Sequence, residues 1–319
     1  MPRVSVIIPA YNCAHSVTRA VESVLDQTMQ DFEIIVVDDG SSDNTREVLR
    51  RYFSDARFQY ICQDNRGAPG ARNTGVRASR AEYLAFLDAD DFLAPRALEL
   101  MTDKLDTSRA SWCVIDPFRV KGQEIVVRRT VIPSGDLFLG ILKDDFIGRC
   151  MFYRRADFVE VGLFDETLRC LEDWDISIRM CEKRKSFAHL DIPVYTYVWR
   201  RGSLVTDRRG MVTYTEKLFR KHHKRLADAG DRAVAKIYAY VMWDLARRYF
   251  REVRDYKRTL ACVRESLAYD FNLSRLFHPL LHHLRRLWEQ CRGLLASSYY
   301  ATSRRRKPGY QVRETADSE

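Results

Sequence analysis

No stretch of this 319-residue sequence approaches the ~18 consecutive apolar residues that a membrane-spanning helix needs. The opening segment, MPRVSVIIPAYN, has one basic residue and an apolar run of about five. That is too short for a secretory leader and reads as a strand, so the chain is expected to stay in the cytoplasm. The eight cysteines, from Cys13 to Cys291, include no CxxC pair and no Cys/His spacing of a zinc site. They read as buried free thiols of a reducing compartment. Two phosphate-binding patterns are missing as well. The loop PAYNCAHS, after the first expected strand, contains no glycine, which excludes the GxGxxG turn that brings a backbone close to a pyrophosphate. No GxxxxGK[ST] loop occurs, and no internal repeat is visible.

What is present suits a soluble globular protein with a sizeable core: 46% hydrophobic, 12% aromatic and 30% charged residues. The length allows about two domains at ~150 residues each. The net charge of +9 is unevenly placed. Residues 1–200 hold 27 basic and 31 acidic side chains, whereas residues 201–319 hold 26 and 13. The C-terminal third therefore looks for an acidic partner, such as an anionic membrane surface, a phosphorylated acceptor or nucleic acid.

The apolar pattern alternates between two periods. VSVIIP and FEIIVVDD are short β-branched runs of buried strands; FQYI and YLAFLD are two more. Between the first two, Val17, Ala20, Val21, Val24 and Leu25 fall on one helical face. GSSDNTREVLRRYF and the segment from about Pro69 supply two further helices. A β-α-β-α-β-α-β order predicts a mostly parallel sheet flanked by helices, with every strand's C-terminal end on one edge. That edge is where open α/β sheets bind ligands. Residues 96–150 are less regular, with SWCVIDPFRV and EIVVRRTVI read as strands of a mixed extension to the sheet.

Acidic residues gather past those strand ends: Asp38 and Asp39 after the second, then Asp88, Asp90 and Asp91 after the fourth. Carboxylates this close repel one another unless a cation or hydrogen bonds compensate. With no glycine-rich phosphate loop, a carboxylate-bound Mg²⁺ or Mn²⁺ is the obvious substitute, with Asp88-x-Asp90 supplying ligands. Asp91 reads instead as a helix N-terminal residue favoured by the dipole.

VSVIIPAYN, SVLDQTMQDFEIIVVDDGSSDNT, NRGAPGARNTGV, YLAFLDADD and GLFDETLRCLEDWDISIR follow one another at spacings that resemble the family-2 inverting glycosyltransferases of the GT-A fold. The resemblance covers residues 3–206. It implies that Tyr11 and Asp39 hold the base of a nucleotide-sugar donor, most simply UDP. Arg72 of the ARN stretch would contact nucleotide or phosphate. Asp90 would ligate the metal, with Asp88 at ribose or metal. Asp173 of the ED motif would be the catalytic base that deprotonates an acceptor hydroxyl. Spacing alone does not choose among Glu172, Asp173 and Asp175; the choice of Asp173 rests on the resemblance. Two departures stand out. Arg200 occupies the place of a histidine common late in the domain, and arginine cannot ligate metal but can pair with phosphate. The QxxRW motif of processive members is missing, which favours addition of a single sugar.

The expected organisation is a nucleotide-sugar half (1–110), an acceptor half (111–205), a helical basic region (206–302) and a disordered tail (303–319). In the helical region an apolar stripe from Leu273 to Leu295 has two readings. It packs on the rest of the protein or a second subunit, giving a homodimer, or it lies on an anionic membrane beside a glycan or lipid-linked acceptor. No nucleic-acid recognition motif accompanies the basic charge. A nucleotidyltransferase, or a non-catalytic protein on the same fold, is the competing reading of function.

Overall fold

The computed structural model describes residues 1–121, 124–127, 129–147, 150–199 and 207–270. In chain order the strands and helices are β1 (Val4–Ala10), α1 (Val17–Leu25), β2 (Phe32–Asp38), α2 (Thr45–Leu49), β3 (Phe58–Cys62), α3 (Gly67–Ala78) and β4 (Tyr83–Phe86). There follow β5 (Phe92–Leu93), α4 (Ala97–Ser108), β6 (Trp112–Ile115), β7 (Phe118–Lys121), β8 (Glu124–Val127), α5 (Leu137–Lys143), β9 (Cys150–Arg154), α6 (Arg155–Glu160) and α7 (Glu172–Glu182). The last are β10 (Phe187–Leu190), β11 (Tyr195–Val198), α8 (Arg208–Phe219), α9 (Arg225–Asp228), α10 (Arg232–Arg248) and α11 (Tyr256–Tyr269).

Seven strands form the main sheet in the order β10-β6-β9-β4-β1-β2-β3. All neighbours are parallel except β9, which runs antiparallel to both β4 and β6. In β1, Val4, Val6, Ile7 and Ile8 are all fully buried, as a continuous β-branched run requires when both faces of a strand are covered. Helix α3 lies close against β1 because Gly75 has no side chain: a Cβ there would come 2.4 Å from Ile7 Cγ2. Gly75→Val is expected to cost about 3 kcal/mol of stability through overpacking. The urea midpoint measures it, and an unchanged midpoint would show that the two elements are not in such tight contact.

Residues 96–150 depart from a simple extension of one sheet. The run SWCVIDPFRV is divided at Asp116–Pro117. Its first part, β6, joins the main sheet, while β7 and β8 enter a second sheet of order β5-β11-β7-β8. Pro117 has no N–H to continue a ladder. The fully buried Asp116 carboxylate accepts from Thr130 N at 2.8 Å and lies 3.0 Å from His189 Nε2. Helix α4 is also an addition to the sequence reading, although buried Ala97, Leu98, Met101, Thr102 and Leu105 carry the helical spacing in plain form.

Residues 1–269 form one compact unit. A second core, built by Val212, Phe219, Tyr238, Met242, Tyr249 and Cys262, joins α8, α10 and α11. Trp174 and Ile237 pack against both this core and the main one, so the described helices dock on the sheet-bearing part. The stripe Leu273–Leu295 and the tail lie outside the described residues.

Candidate active site

The first two loops of the ligand edge are tied together by short polar side chains. Asn12, held at φ 49°, accepts from Ser42 N at 2.8 Å through Oδ1, and its own N–H donates to Ser41 Oγ. Ala14 N donates to Asp43 Oδ2, and Cys13 N to Thr45 Oγ1. These bonds account for the DDGSSDNT stretch as a loop-builder. Asp38 orients the turn by accepting from Ser41 N and the Tyr60 hydroxyl. Asp39 is nearly buried and accepts from Gln63 Nε2 (2.7 Å), Arg66 N (2.8 Å) and Gly67 N (2.7 Å). Gly67 sits at φ +79°, a conformation that favours glycine at this helix entry. Tyr11 stands at the rim with 55% of its surface exposed, which excludes a core role.

Arg72 is the hub of the next layer. Its guanidinium donates to Asp88 Oδ1 at 2.6 Å and to Glu172, and lies over the Phe164 ring at 5.6 Å. Burial works against the charge, but the two carboxylates outweigh it and hold the guanidinium above its ordinary value. Arg72 thus joins strand-end Asp88 to helix α7. The neighbouring Asn73 clamps the Phe164 backbone in both directions, donating to its carbonyl and accepting from its N–H, each at 2.9 Å. Two adjacent residues of the ARN stretch therefore tie α3 to Asp88, to α7 and to the Phe164 segment.

Asp88, Asp90 and Asp91 each offer a carboxylate oxygen, all within 4.8 Å of one another. An all-carboxylate oxygen set of this size fits a divalent cation of the Mg²⁺ or Mn²⁺ type. Asp88 and Asp90 line the cavity. Asp91 does not play the helix-terminal part that the sequence suggested. It is fully buried, and its oxygens accept from the Tyr195 hydroxyl at 2.5 Å and Val198 N at 2.9 Å, holding β11 against the acidic loop. The next helix begins six residues later, at Ala97, so there is no N-terminus at Asp91 to stabilise.

Helix α7 separates its acidic residues. Leu171 precedes it at φ 66°, and Glu172, Asp173 and Asp175 fill the first turn. Glu172 pairs with Arg72, and Asp173 lines the cavity with Trp174 N donating to its Oδ1 at 2.8 Å. Asp175 is fully buried and turns away from the cavity towards a cluster of basic side chains. It pairs with Arg179 (2.7 Å), Lys221 (2.6 Å) and His222 Nε2 (2.7 Å). Burial alone would raise its carboxyl; His222, Arg179 and Lys221 hold it far below the usual carboxylate range.

One cavity of about 590 Å³ gathers Tyr11, Asp39, Arg72, Asp88, Asp90 and Asp173. Arg200 lies outside the described residues. The wall also carries Arg119, Asp145, Arg169, Tyr197 and Met211, which no sequence motif singled out. A wider hollow of about 800 Å³ opens at the opposite edge, at the N-terminal ends of β1, β2 and β3, and holds none of these groups.

The family model described as glycosyl transferase family 2 matches residues 5–162. The succinoglycan biosynthesis protein ExoO of Rhizobium meliloti is 30% identical over 317 residues, covering 90% of this chain and 87% of that protein. The chain belongs to glycosyl transferase family 2. Other family relatives are matched only in part. Escherichia coli chondroitin synthase is 44% identical over 115 residues, which cover 36% of this chain and 17% of the synthase. The Staphylococcus aureus poly(ribitol-phosphate) β-N-acetylglucosaminyltransferase TarP is 36% identical over 157 residues, 48% of this chain and 46% of TarP. This family-2 chain thus spans less than half the length of either. The crystal structure of S. aureus TarS 1-349 in complex with UDP-GlcNAc shares the fold, with a TM-score of 0.61 at 18% identity over 88% of this chain and 92% of TarS 1-349. The GT-A architecture expected of a family-2 member is the one observed. The matched family segment carries the loops from Tyr11 to Asp91 and stops before α7.

Proposed function

We propose that this chain transfers a single sugar, with inversion, from a nucleotide-diphosphate donor to an acceptor hydroxyl in the synthesis of a polysaccharide or lipid-linked glycan. The observation that carries the reading is the meeting of Tyr11, Asp39, Arg72, Asp88, Asp90 and Asp173 on one cavity from five separate segments. UDP is the favoured nucleotide, in keeping with the UDP-GlcNAc complex of the structural relative. Residues 1–110 would hold the donor. Residues 111–205, which contribute Arg119, Arg169, Asp173 and Tyr197 to the wall, would receive the acceptor.

In this reading Tyr11 stacks on the base and Asp39 accepts from it, its carboxylate pre-set by the three donors described above. Asp90, with Asp88, would hold Mn²⁺ or Mg²⁺, which when bound supplies positive charge for the departing diphosphate. Arg72 keeps Asp88 in place and adds a fixed cation at the same wall. Arg200 is proposed as a phosphate contact. Asp173, fixed by Trp174 N–H, takes the proton from the acceptor hydroxyl as that oxygen forms the new bond to the anomeric carbon. The bond to the diphosphate breaks on the opposite face, and the electron pair leaves with it. One displacement inverts the configuration, through an oxocarbenium-like transition state.

The test is nucleoside-diphosphate release from a panel of nucleotide-sugars with an acceptor mixture, with and without Mn²⁺ or Mg²⁺. Metal-dependent release with one donor, lost in Asp90→Ala, is the expected result. A chain that instead releases pyrophosphate when given a nucleoside triphosphate and a sugar 1-phosphate would be a nucleotidyltransferase, and one that binds donors without turnover would be non-catalytic.

A further inference from the structure

The end of the described helical region presents a surface that the transferase reading does not use. Phe250, Tyr256 and Leu260 expose 54%, 62% and 70% of their surfaces. The Phe250 and Tyr256 rings meet edge to face at 5.8 Å, so the apolar groups are contiguous. Leu260 follows Tyr256 by one turn of α11, and Arg264 follows Leu260 by another, which sets them in a row on one helix face. Around this row Arg251, Arg254, Lys257 and Arg264 are exposed and form no ion pair among the described residues. The acidic side chains nearby are already matched: Glu252 with Arg248, Asp255 with Arg258, and Glu265 with Arg220. The patch therefore combines a surplus of positive charge with exposed aromatic and aliphatic groups.

We propose that this patch docks the protein on an anionic lipid surface. Aromatic and leucine side chains enter the headgroup boundary, while long basic side chains keep their charges at the phosphate level. A second copy of the chain is a poorer occupant. A two-fold interface would set the patch against itself and bring like charges together with no unmatched acidic side chain of the patch, among the described residues, to offset them. The inference rests on no step of the sugar-transfer reading. If that reading fails, lipid binding is still measurable, and if lipid binding fails, transfer to a soluble acceptor is unaffected.

The test is flotation of the full chain with phosphatidylcholine vesicles, with or without phosphatidylglycerol. The chain is expected to float with the phosphatidylglycerol vesicles and not with phosphatidylcholine alone, and to be released by salt. The Arg251→Gln/Lys257→Gln/Arg264→Gln variant should bind roughly a hundredfold more weakly, from the contribution of each basic side chain near an anionic surface. The Phe250→Ser/Tyr256→Ser/Leu260→Ser variant should also lose binding. Both should keep the parent melting temperature, since all six side chains are exposed, and both should keep donor turnover. Undiminished flotation of the two variants, or equal flotation on neutral vesicles, would overturn the proposal. So would a concentration-dependent dimer that the variants abolish with no change in lipid binding.

Discussion

Asp173→Asn is expected to lower the turnover number for sugar transfer by about 10²–10⁴-fold, the range of a lost general base, while donor affinity stays within about twofold. The amide keeps the carbonyl that accepts from Trp174 N, so the side chain should hold its place at the start of α7. It cannot take up the acceptor's proton. Steady-state kinetics with calorimetric binding of the nucleoside diphosphate separates the two effects. The comparison that decides is Glu172→Gln. Glu172 pairs with Arg72, which in turn holds Asp88. Its loss should disturb donor binding as well as rate, and so raise KM along with any fall in turnover. Unchanged transfer in Asp173→Asn would place the base elsewhere on the cavity wall.

The other large effect concerns stability. Asp175→Ala is expected to destabilise the fold by about 3 kcal/mol, because it leaves the buried His222 and the partly buried Arg179 without the carboxylate they share, while the exposed Lys221 can turn to water. Asp175 is fully buried and receives Arg179 from its own helix and Lys221 and His222 from the segment after α8. It therefore binds the helical region to the helix that carries Asp173. Acid should act at the same place. A carboxyl held below its unfolded value contributes stability that is complete above about pH 4 and is lost as pH falls through the depressed folded value. The adjacent His223 adds an earlier loss. Burial pushes its imidazole down to about 4, opposed in part by its hydrogen bond to the Leu142 carbonyl. The unfolded chain binds that proton from about pH 6.5 downward, so stability falls between about 6.5 and 4. Urea midpoints measured across this range should drop steadily in the parent and less steeply in His223→Gln. A flat parent profile would remove the neutral buried histidine from the account.

Most of the fold was legible because the chain's strands are short, β-branched and buried on both faces, while its first helices show a clean apolar stripe. Val4–Ala10, Phe32–Asp38 and Val17–Leu25 fall within a residue or two of their expected places. The middle of the chain was harder to read for a local reason. The apolar run around Asp116–Pro117 looks continuous, yet it serves two sheets, and which sheet a strand joins depends on partners far away in sequence. β6 pairs with β10, and β7 with β11, both some 75 residues on. Helix α4 could have been found by its spacing of Ala97, Leu98, Met101 and Leu105.

The acidic cluster shows the same division. That Asp88, Asp90 and Asp91 crowd a strand end is visible in the nine letters YLAFLDADD. That Arg72 compensates Asp88, and that Asp91 is spent on Tyr195 and Val198, is not, because those partners come from α3 and β11. Likewise, Glu172, Asp173 and Asp175 look interchangeable on paper. Packing sends one to Arg72, one to the cavity and one towards the basic cluster with His222. The histidine pair His222–His223 carried no sequence signal for this role, since its partners sit 47 and 81 residues away.

The sequence by itself determined the alternation of strands and helices, the edge on which polar residues collect, and the family to which the motifs point, because those follow from local periodicity and from residue types at short spacing. Only the tertiary structure decided which carboxylate faces the cavity and which is consumed in an ion pair. A side chain's charge is written in the sequence, but its partner and its exposure are set by elements that meet only when the chain is folded.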